Sequence, residues 1–426
     1  MDVHVVSKSN NANHATFSLP PPTTPLPASS IRVRASLLSL SSNNLTYALL
    51  GDMLHWWDTY PVPDNAPAPY NDRAAWGIVP AWGFATVLQS TIPEIASGTK
   101  IWGYWPASAH VVDLTLSKNQ DDPEPHWIET SPHRTSLLPL YNRYVISTTS
   151  DESRHAWESA VRPIWQCGYV LSEYVFTPDP SVNPAIHPLP GAPSVKPEWT
   201  DEDADISKAV VISLAASSKT GRSAAHNFAC RPAGSGPLGL LQVTSSPEAI
   251  GSAASGLKPH FATRAVDYTQ LSQPDVGQWI ASLSPGKIVI VDFGSRDGGF
   301  DAVHSLIRSH DALAKTDLVI LAVGFQQKVY TLADVAAAQA AAGAHGIIQL
   351  NTSPILSAAL EVQGARKVYE GLERRWEHWL ANREVAAPDL RLVWGKGITG
   401  EEGIEGGWDR LCQGGVKPEE ALVYRL

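Results

Sequence analysis

Residues Val210 to Ala229, VVISLAASSKTGRSAAHNFA, read as a buried strand running into a Ser-rich turn and then a helix. The run Val210 to Ala216 is short, apolar and partly β-branched, and helix formers mixed with apolar residues follow the turn, so strand, turn and helix is the natural assignment. A helix N-terminus offers N–H donors without intrahelical partners and the positive end of a dipole, and both hold phosphate. A hydroxyl-rich turn with a lysine suits that anion.

Outward from this unit, strand and helix patterns alternate. After Val210–Leu214 the strand candidates are Leu240–Thr244, Arg264–Asp267, Lys287–Asp292, Asp317–Ala322 and Gly346–Leu350. Helix-length or loop segments separate them, so a parallel sheet with crossover helices is the economical fold, and six such strands fill one doubly wound dinucleotide domain. We assign it residues 206–382, with a long helix from about Ser357 to Asn382. Upstream, residues 1–30 end in SLPPPTTPLPASS and are expected to run extended over the surface. Residues 31–176 form a β-rich domain from IRVRASLLSL, WGIVPAWGFATVL and TKIWGYWPASAHVVDL, with a helical stretch around Asp151–Gly168 before its end near Phe176. A Pro-rich linker covers 177–205, and about 383–426 returns to the first domain through the terminal strand ALVYRL. The expected fold class is α/β, a β-rich domain plus a doubly wound parallel sheet.

Composition narrows the function classes. The 426 residues suffice for two to three domains, and 43% apolar with 17% charged residues is ordinary for a globular protein. A net charge of −10 without a basic run excludes binding to nucleic acid or an anionic membrane, both of which need clustered Lys and Arg. GLERRWEHW at 371–379, the longest mixed-charge patch, reads as a solvated helix face in preference to a site. Cys167, Cys230 and Cys412 form no C-x-x-C pair, so neither a disulfide framework nor a four-cysteine zinc lobe is expected. MDVHVVSKSNNANHATF lacks a signal-peptide pattern and no window approaches a membrane span, which implies a soluble, cytoplasmic protein. Nine of the fifteen tryptophans fall between Trp56 and Trp165; they either line an apolar cavity or pack the core and a dimer surface.

Three motif matches are discarded. Gly234-Ser235-Gly236-Pro237-Leu238-Gly239 spells G-x-G-x-x-G, but it follows a helix and precedes a strand, the reverse of the pyrophosphate-binding context. Ser97-Gly98-Thr99-Lys100 and Lys219-Thr220-Gly221 imitate elements of β-lactam-binding enzymes, yet no S-D-N element accompanies them. The fourteen histidines show no H-E-x-x-H or H-x-H spacing, and no G-x-S-x-G elbow is present, so metal catalysis and an elbow-type hydrolase are not expected.

A β-rich first domain, a dinucleotide domain opened by A-x-x-x-x-x-G and a C-terminal return strand together resemble the medium-chain dehydrogenase/reductase superfamily, in its zinc-independent quinone oxidoreductase and enoyl reductase branch. There the first turn looks like A-A-S-G-G-V-G; here it is Ala215-Ala216-Ser217-Ser218-Lys219-Thr220-Gly221, with Ser218 and Lys219 where two glycines are usual. LLQVTSSPEAI is similar to that branch's T-x-S-x-x-K segment. SSNNLTYALLGD, AWGIVPAWGFATVLQS and SGTKIWGYWPAS are closer still to a family of functionally unassigned fungal and bacterial proteins, some lying beside polyketide biosynthesis genes.

The resemblance implies a GroES-like substrate domain at 31–176 and a Rossmann domain binding NADPH through Ser217, Ser218, Lys219, Thr220 and Gly221. Ser245 and Ser246, with no acidic residue at the strand end, favour a 2′-phosphate over a free hydroxyl. Tyr268 matches a tyrosine flanking the adenine end. Asp292 and Gly294, with Val323 and Gly324, fall at the carboxyl edge of the sheet where the cofactor crosses, though Asp292 also suits a turn cap. Hydride transfer needs alignment, a dry site and a group that stabilises the developing enolate or alkoxide. Tyr47 and Asn44, with Asn43 beside them, are the catalytic candidates, because the matching loop of those reductases reaches the nicotinamide. Trp56, Trp57 and Trp105 are candidate substrate walls. The expected activity is NADPH-dependent reduction of an activated C=C or C=O bond in a small-molecule or carrier-bound acyl substrate, with a polyketide synthase as a partner and a homodimer through Gly346–Leu350. The alternative is a relative without hydride transfer that assists binding or cyclisation by a synthase.

Overall fold

The structure, a computed structural model, describes residues 1–296 and 298–426. It divides into two compact units: Met1–Pro163 with Gln327–Val335 and Arg391–Leu426, and Ile164–Gln326 with Ala336–Leu390.

The first unit begins with β1 (Asp2–Ser7), paired antiparallel to β2 (His14–Ser18) with Val5 opposite Ala15. The first eighteen residues therefore form a hairpin and do not run extended over the surface as expected. Val3 and Val5 enter a small core with Leu19, Val62, Ala66 and Ile78, and the Asn-rich reversal is closed by the Asn13 N–H on the Asn10 carbonyl at 2.9 Å. Then comes β3 (Ser30–Leu40), after which the short β4 (Trp76–Gly77) adds to β1.

Strands β5 (Pro80–Ser90), β6 (Lys100–Pro106), β7 (Val111–Ser117), β8 (His126–Glu129) and β9 (Arg143–Ile146) complete a ring with β3 in the order β3-β5-β6-β9-β8-β7. β3 pairs with β7, Ile31 opposite Leu114 and Val33 opposite Val112, and so closes a six-stranded barrel. Closure leaves no open edge among these strands, which is how small antiparallel barrels avoid self-association. The expected helical stretch is present as Glu152–Ala160 and Arg162–Val170.

The second unit is built on β10 (Ala209–Leu214), β11 (Gly239–Thr244), β12 (Ala262–Asp267), β13 (Lys287–Asp292), β14 (Asp317–Ala322) and β15 (Ile347–Gln349). All neighbours are parallel, in the order β12-β11-β10-β13-β14-β15. This is a Rossmann-like sheet whose strand order reverses between β10 and β13. Val210, Ile212, Leu214, Ile288 and Ile290 belong to its fully buried core, which is why these strands read as near-continuous apolar runs. The single long helix expected over Ser357–Asn382 is two, Thr352–Gln363 and Ala365–Ala381. Gly364 breaks it at φ 80, a left-handed conformation that glycine adopts without a Cβ clash. The Pro-rich segment after Phe176 is fastened to this unit: the Ile186 N–H donates to the Tyr174 carbonyl at 3.0 Å and the Trp199 indole N–H to the Val175 carbonyl at 2.9 Å.

The chain then returns to the first unit. β16 (Arg391–Lys396) lies parallel to β17 (Glu420–Arg425), which pairs antiparallel with the end of β3, Leu422 opposite Leu40. No helix among the described residues is long and apolar enough to cross a membrane.

Candidate functional site

In the parallel-sheet unit the register brings five loops to one edge. Leu214 pairs with Val243 and Asp292, Thr244 with Asp267, and Asp292 with Ala322, so the segments after β10, β11, β12, β13 and β14 emerge side by side. Here the ends of the strands meet the N-termini of the following helices, the part of such sheets that binds ligands.

The turn after β10 is shaped by its own residues. Ser218 is the N-cap of the helix Lys219–Ala229, and its hydroxyl accepts from the Gly221 N–H at 3.0 Å. Its backbone is in the ordinary extended region, φ −61 and ψ 153, so a glycine is not required there. Gly221 is required: a Cβ would lie 2.9 Å from the Ala216 Cα and carbonyl oxygen, so the missing side chain lets the helix approach the turn. Arg222, buried, donates from Nε to the Ser217 carbonyl at 2.8 Å and forks onto Asp389 at 2.6 and 2.8 Å. Asp389 and Arg222 thereby fix the carbonyl of Ser217, a clamp that sequence reasoning missed because the partners are 167 residues apart. Thr220, in the first helical turn, has no protein acceptor for its N–H among the described residues.

The other candidate cofactor residues surround this turn. Ser245 and Ser246 follow β11; Ser246 precedes the helix Pro247–Leu257, and its hydroxyl makes no capping bond. Tyr268, at the end of β12, accepts from the Ala215 N–H at 3.1 Å, and burial pushes its hydroxyl above the usual tyrosine range. Asp292 spends both carboxylate oxygens on its own turn, accepting from the Gly294 and Ser295 N–H groups at 2.9 and 2.7 Å and from the Ser295 hydroxyl at 2.8 Å. Gly294 and Gly324 mark a close passage of the β13 and β14 loops, since a Cβ on Gly294 would lie 2.5 Å from the Phe325 carbonyl. The Val323 N–H donates to the Asp292 carbonyl at 2.8 Å.

In the barrel unit, Asn44 and Tyr47 lie on the helix Ser42–Leu49. Asn44 is buried with both polar atoms on backbone: Oδ1 accepts from the Ser41 N–H at 2.8 Å and Nδ2 donates to the Pro80 carbonyl at 2.9 Å. Tyr47 is different. Its hydroxyl oxygen accepts from Asn43 Nδ2 at 2.7 Å and from the Trp82 indole N–H at 2.9 Å. With two donors on the oxygen, the phenolic proton is the group left to donate, and Tyr141 is its hydrogen-bond partner. Burial, first, and Tyr141 keep the phenol protonated, well above the usual tyrosine range.

Trp56 and Tyr104 pack edge-on against Tyr47, with ring centres 4.7 and 5.1 Å away, and Tyr141 lies at 6.0 Å. The Trp56 indole N–H and Tyr104 hydroxyl are buried without hydrogen-bond partners. The structure thus unites Tyr47 and Trp56 and adds Asn43, Trp82, Tyr104 and Tyr141, of which only Asn43 was singled out in sequence. Trp57 instead packs against Gly51 and Gly77. Trp105 is fully buried, with its indole N–H on the Gly83 carbonyl at 3.1 Å, so it is core and not an accessible wall.

Solved structures share this fold at low identity. CurA in complex with NADPH from Vibrio vulnificus matches at a TM-score of 0.54 and 13% identity, over 100% of this chain and 99% of that one. The mitochondrial 2-enoyl thioester reductase Etr1p/Etr2p heterodimer from Candida tropicalis matches at 0.54 and 10%, over 100% and 99%. The Etr1p/NADP/crotonyl-CoA complex matches at 0.53 and 10%, with the same coverage. At these identities the likeness establishes the fold alone. No curated protein matches the sequence. A family model described as "Protein of unknown function (DUF2855)" matches residues 38–417, and the chain belongs to that family.

Proposed function

We propose that the chain is an NADPH-dependent, zinc-independent reductase of the medium-chain type, acting on an activated C=C or C=O bond of an acyl, polyketide-like or quinone-like substrate, with the barrel as its GroES-like substrate domain. The observation that carries this reading is the Ser217–Gly221 turn at the reversal point of the parallel sheet, where Gly221 admits the helix N-terminus to close range. Support for NADPH comes from the fold relatives crystallised with NADPH or NADP. The donor set fits the cofactor: Thr220 N–H and Lys219 suit a phosphate, and the hydroxyls of Ser245 and Ser246 suit a 2′-phosphate. Asp292 is taken by its turn and is not assigned to the ribose.

When bound, NADPH supplies the hydride. Tyr47, whose oxygen already accepts from Asn43 and Trp82 and whose proton rests on Tyr141, then turns that proton to the oxygen or carbon on which charge develops. Asn43 and Trp82 orient the hydroxyl, and Asn44 secures the helix to β5.

A second reading, a relative without hydride transfer, is favoured by one observation: the Ala215 N–H is taken by the Tyr268 hydroxyl and the Gly221 N–H by the Ser218 hydroxyl, which leaves fewer turn donors for a cofactor. NADPH consumption with enone, quinone and acyl-thioester panels separates the two. The reductase reading expects turnover on one class, reduced about ten- to a thousand-fold in Tyr47→Phe with NADPH affinity kept. No consumption with any class supports the second reading.

A further inference from the structure

We propose that His226, Cys230 and His378 form a zinc-binding site with three protein ligands and a fourth position open to solvent. His226 and Cys230 are four residues apart, at the end of the helix Lys219–Ala229 and at its C-cap, and so share one helix face. His378 comes from the last turn of the helix Ala365–Ala381. The Cys230 sulfur is 3.5 Å from His226 Nε2 and 3.7 Å from His378 Nδ1, and the two nitrogens are 3.3 Å apart.

Those spacings are the edges of a coordination tetrahedron. With Zn–N near 2.0–2.1 Å and Zn–S near 2.3 Å, tetrahedral geometry sets N···N at about 3.3 Å and N···S at about 3.5 Å. A thiolate with two imidazoles is a donor set suited to zinc, whereas Mg²⁺ and Ca²⁺ call for oxygen.

The surroundings agree with the geometry. His226 is fully buried and its Nδ1 has no partner, so the ring's polar contacts all run through Nε2 toward the other two ligands. His378 is exposed and gives the ion an entry path. Arg375 also reaches the Cys230 thiol, and its charge is shared with Glu173 at 3.4 Å and the Asn227 carbonyl at 3.4 Å, so the guanidinium has other partners when an ion takes the sulfur. Binding displaces the Cys230 thiol proton to solvent, and the ion gives up its water shell for one sulfur and two nitrogens, keeping one water at the open fourth position.

The site would clamp the far end of the helix whose N-terminus carries the Ser217–Gly221 turn. Sequence inspection passed over it because His226-x-x-x-Cys230 is a single i,i+4 pair and the third ligand is 152 residues from His226.

The test uses the full-length chain stripped of metal and then given Zn²⁺ alone. Equilibrium dialysis should find one ion per chain with a dissociation constant in the micromolar range or tighter. Co²⁺ in its place should give a thiolate-to-metal charge-transfer band and the strong visible bands of tetrahedral cobalt. Cys230→Ser should abolish the charge-transfer band. His378→Ala, at an exposed position, should weaken Zn²⁺ binding at least tenfold with an unchanged circular dichroism spectrum, while His14→Ala in the barrel unit should leave binding as it was. Stoichiometry well below one, or wild-type affinity and spectrum in both ligand variants, would overturn the proposal and leave the three side chains as a hydrogen-bonded cluster.

Discussion

The hydroxyl of Tyr268 accepts a hydrogen bond from the N–H of Ala215 at 3.1 Å, and Ala215 is held at φ 53. A non-glycine residue in that left-handed region costs about 1–2 kcal/mol, so the side chain that ends β12 steadies the strained residue that opens the turn after β10. Tyr268→Phe keeps the ring and removes the acceptor. Its unfolding free energy should fall by about 1 kcal/mol, read as a lower urea midpoint at an unchanged slope. An unchanged midpoint would mean that the Ala215 N–H finds an equivalent partner without the hydroxyl.

Lys219 opens the helix beside the candidate phosphate turn. If it serves the 2′-phosphate together with Ser245 and Ser246, Lys219→Ala loses a charge-assisted contact of roughly 1.5–3 kcal/mol. NADPH binding should weaken at least tenfold and NADH binding hardly at all, by fluorescence titration of each. Equal losses for both would assign Lys219 to the pyrophosphate or to the fold.

The parts of the fold that were legible are those whose burial is symmetric. β10, β11 and β13 are covered on both faces, so their apolar runs needed no periodicity to be found, and each lies within two residues of its expected bounds. The N-terminal hairpin was hidden because only Val3 and Val5 of so short a strand face the small core, while the buried His4 lies on the other face. Tyr47 was singled out from a segment expected to be a loop, which is the helix Ser42–Leu49, and the hydrogen bonding around its hydroxyl was not legible. Its two hydrogen-bond donors come from Asn43, one helical turn back, and from Trp82, which the pairing of β3 with β5 brings near. The same holds for Tyr268 and Ala215, separated by 53 residues.

Stability should fall on mild acidification. Burial lowers His4 and His126 to about 3 and His110 to about 4. Each folded-state value lies below the unfolded value near 6.5, so below that pH the unfolded chain binds more protons and stability drops as pH falls from about 6.5 toward 4. Between pH 7.5 and 5.5 each buried imidazole should cost about 1 kcal/mol, before most carboxylates titrate. Urea midpoints of the metal-free protein at the two pH values measure this, and an equal or higher midpoint at pH 5.5 would contradict the burial of these rings.

β15 lies at the edge of the parallel sheet and pairs only with β14 in the observed strand order. An open edge invites pairing, so the chain is expected to form a homodimer through Gly346–Leu350. Light scattering at micromolar concentration should give twice the 45.9 kDa chain mass. A monomer would count against that edge.

The central claim is that the turn Ser217–Gly221 holds NADPH, and titrating the full-length chain with NADPH while following nucleotide fluorescence tests it most directly. The expected result is saturable binding with one nucleotide per chain and a dissociation constant on the order of micromolar, weakened in Gly221→Ala, whose added Cβ would meet Ala216 at 2.9 Å. No saturable binding at concentrations a hundredfold higher would contradict the account.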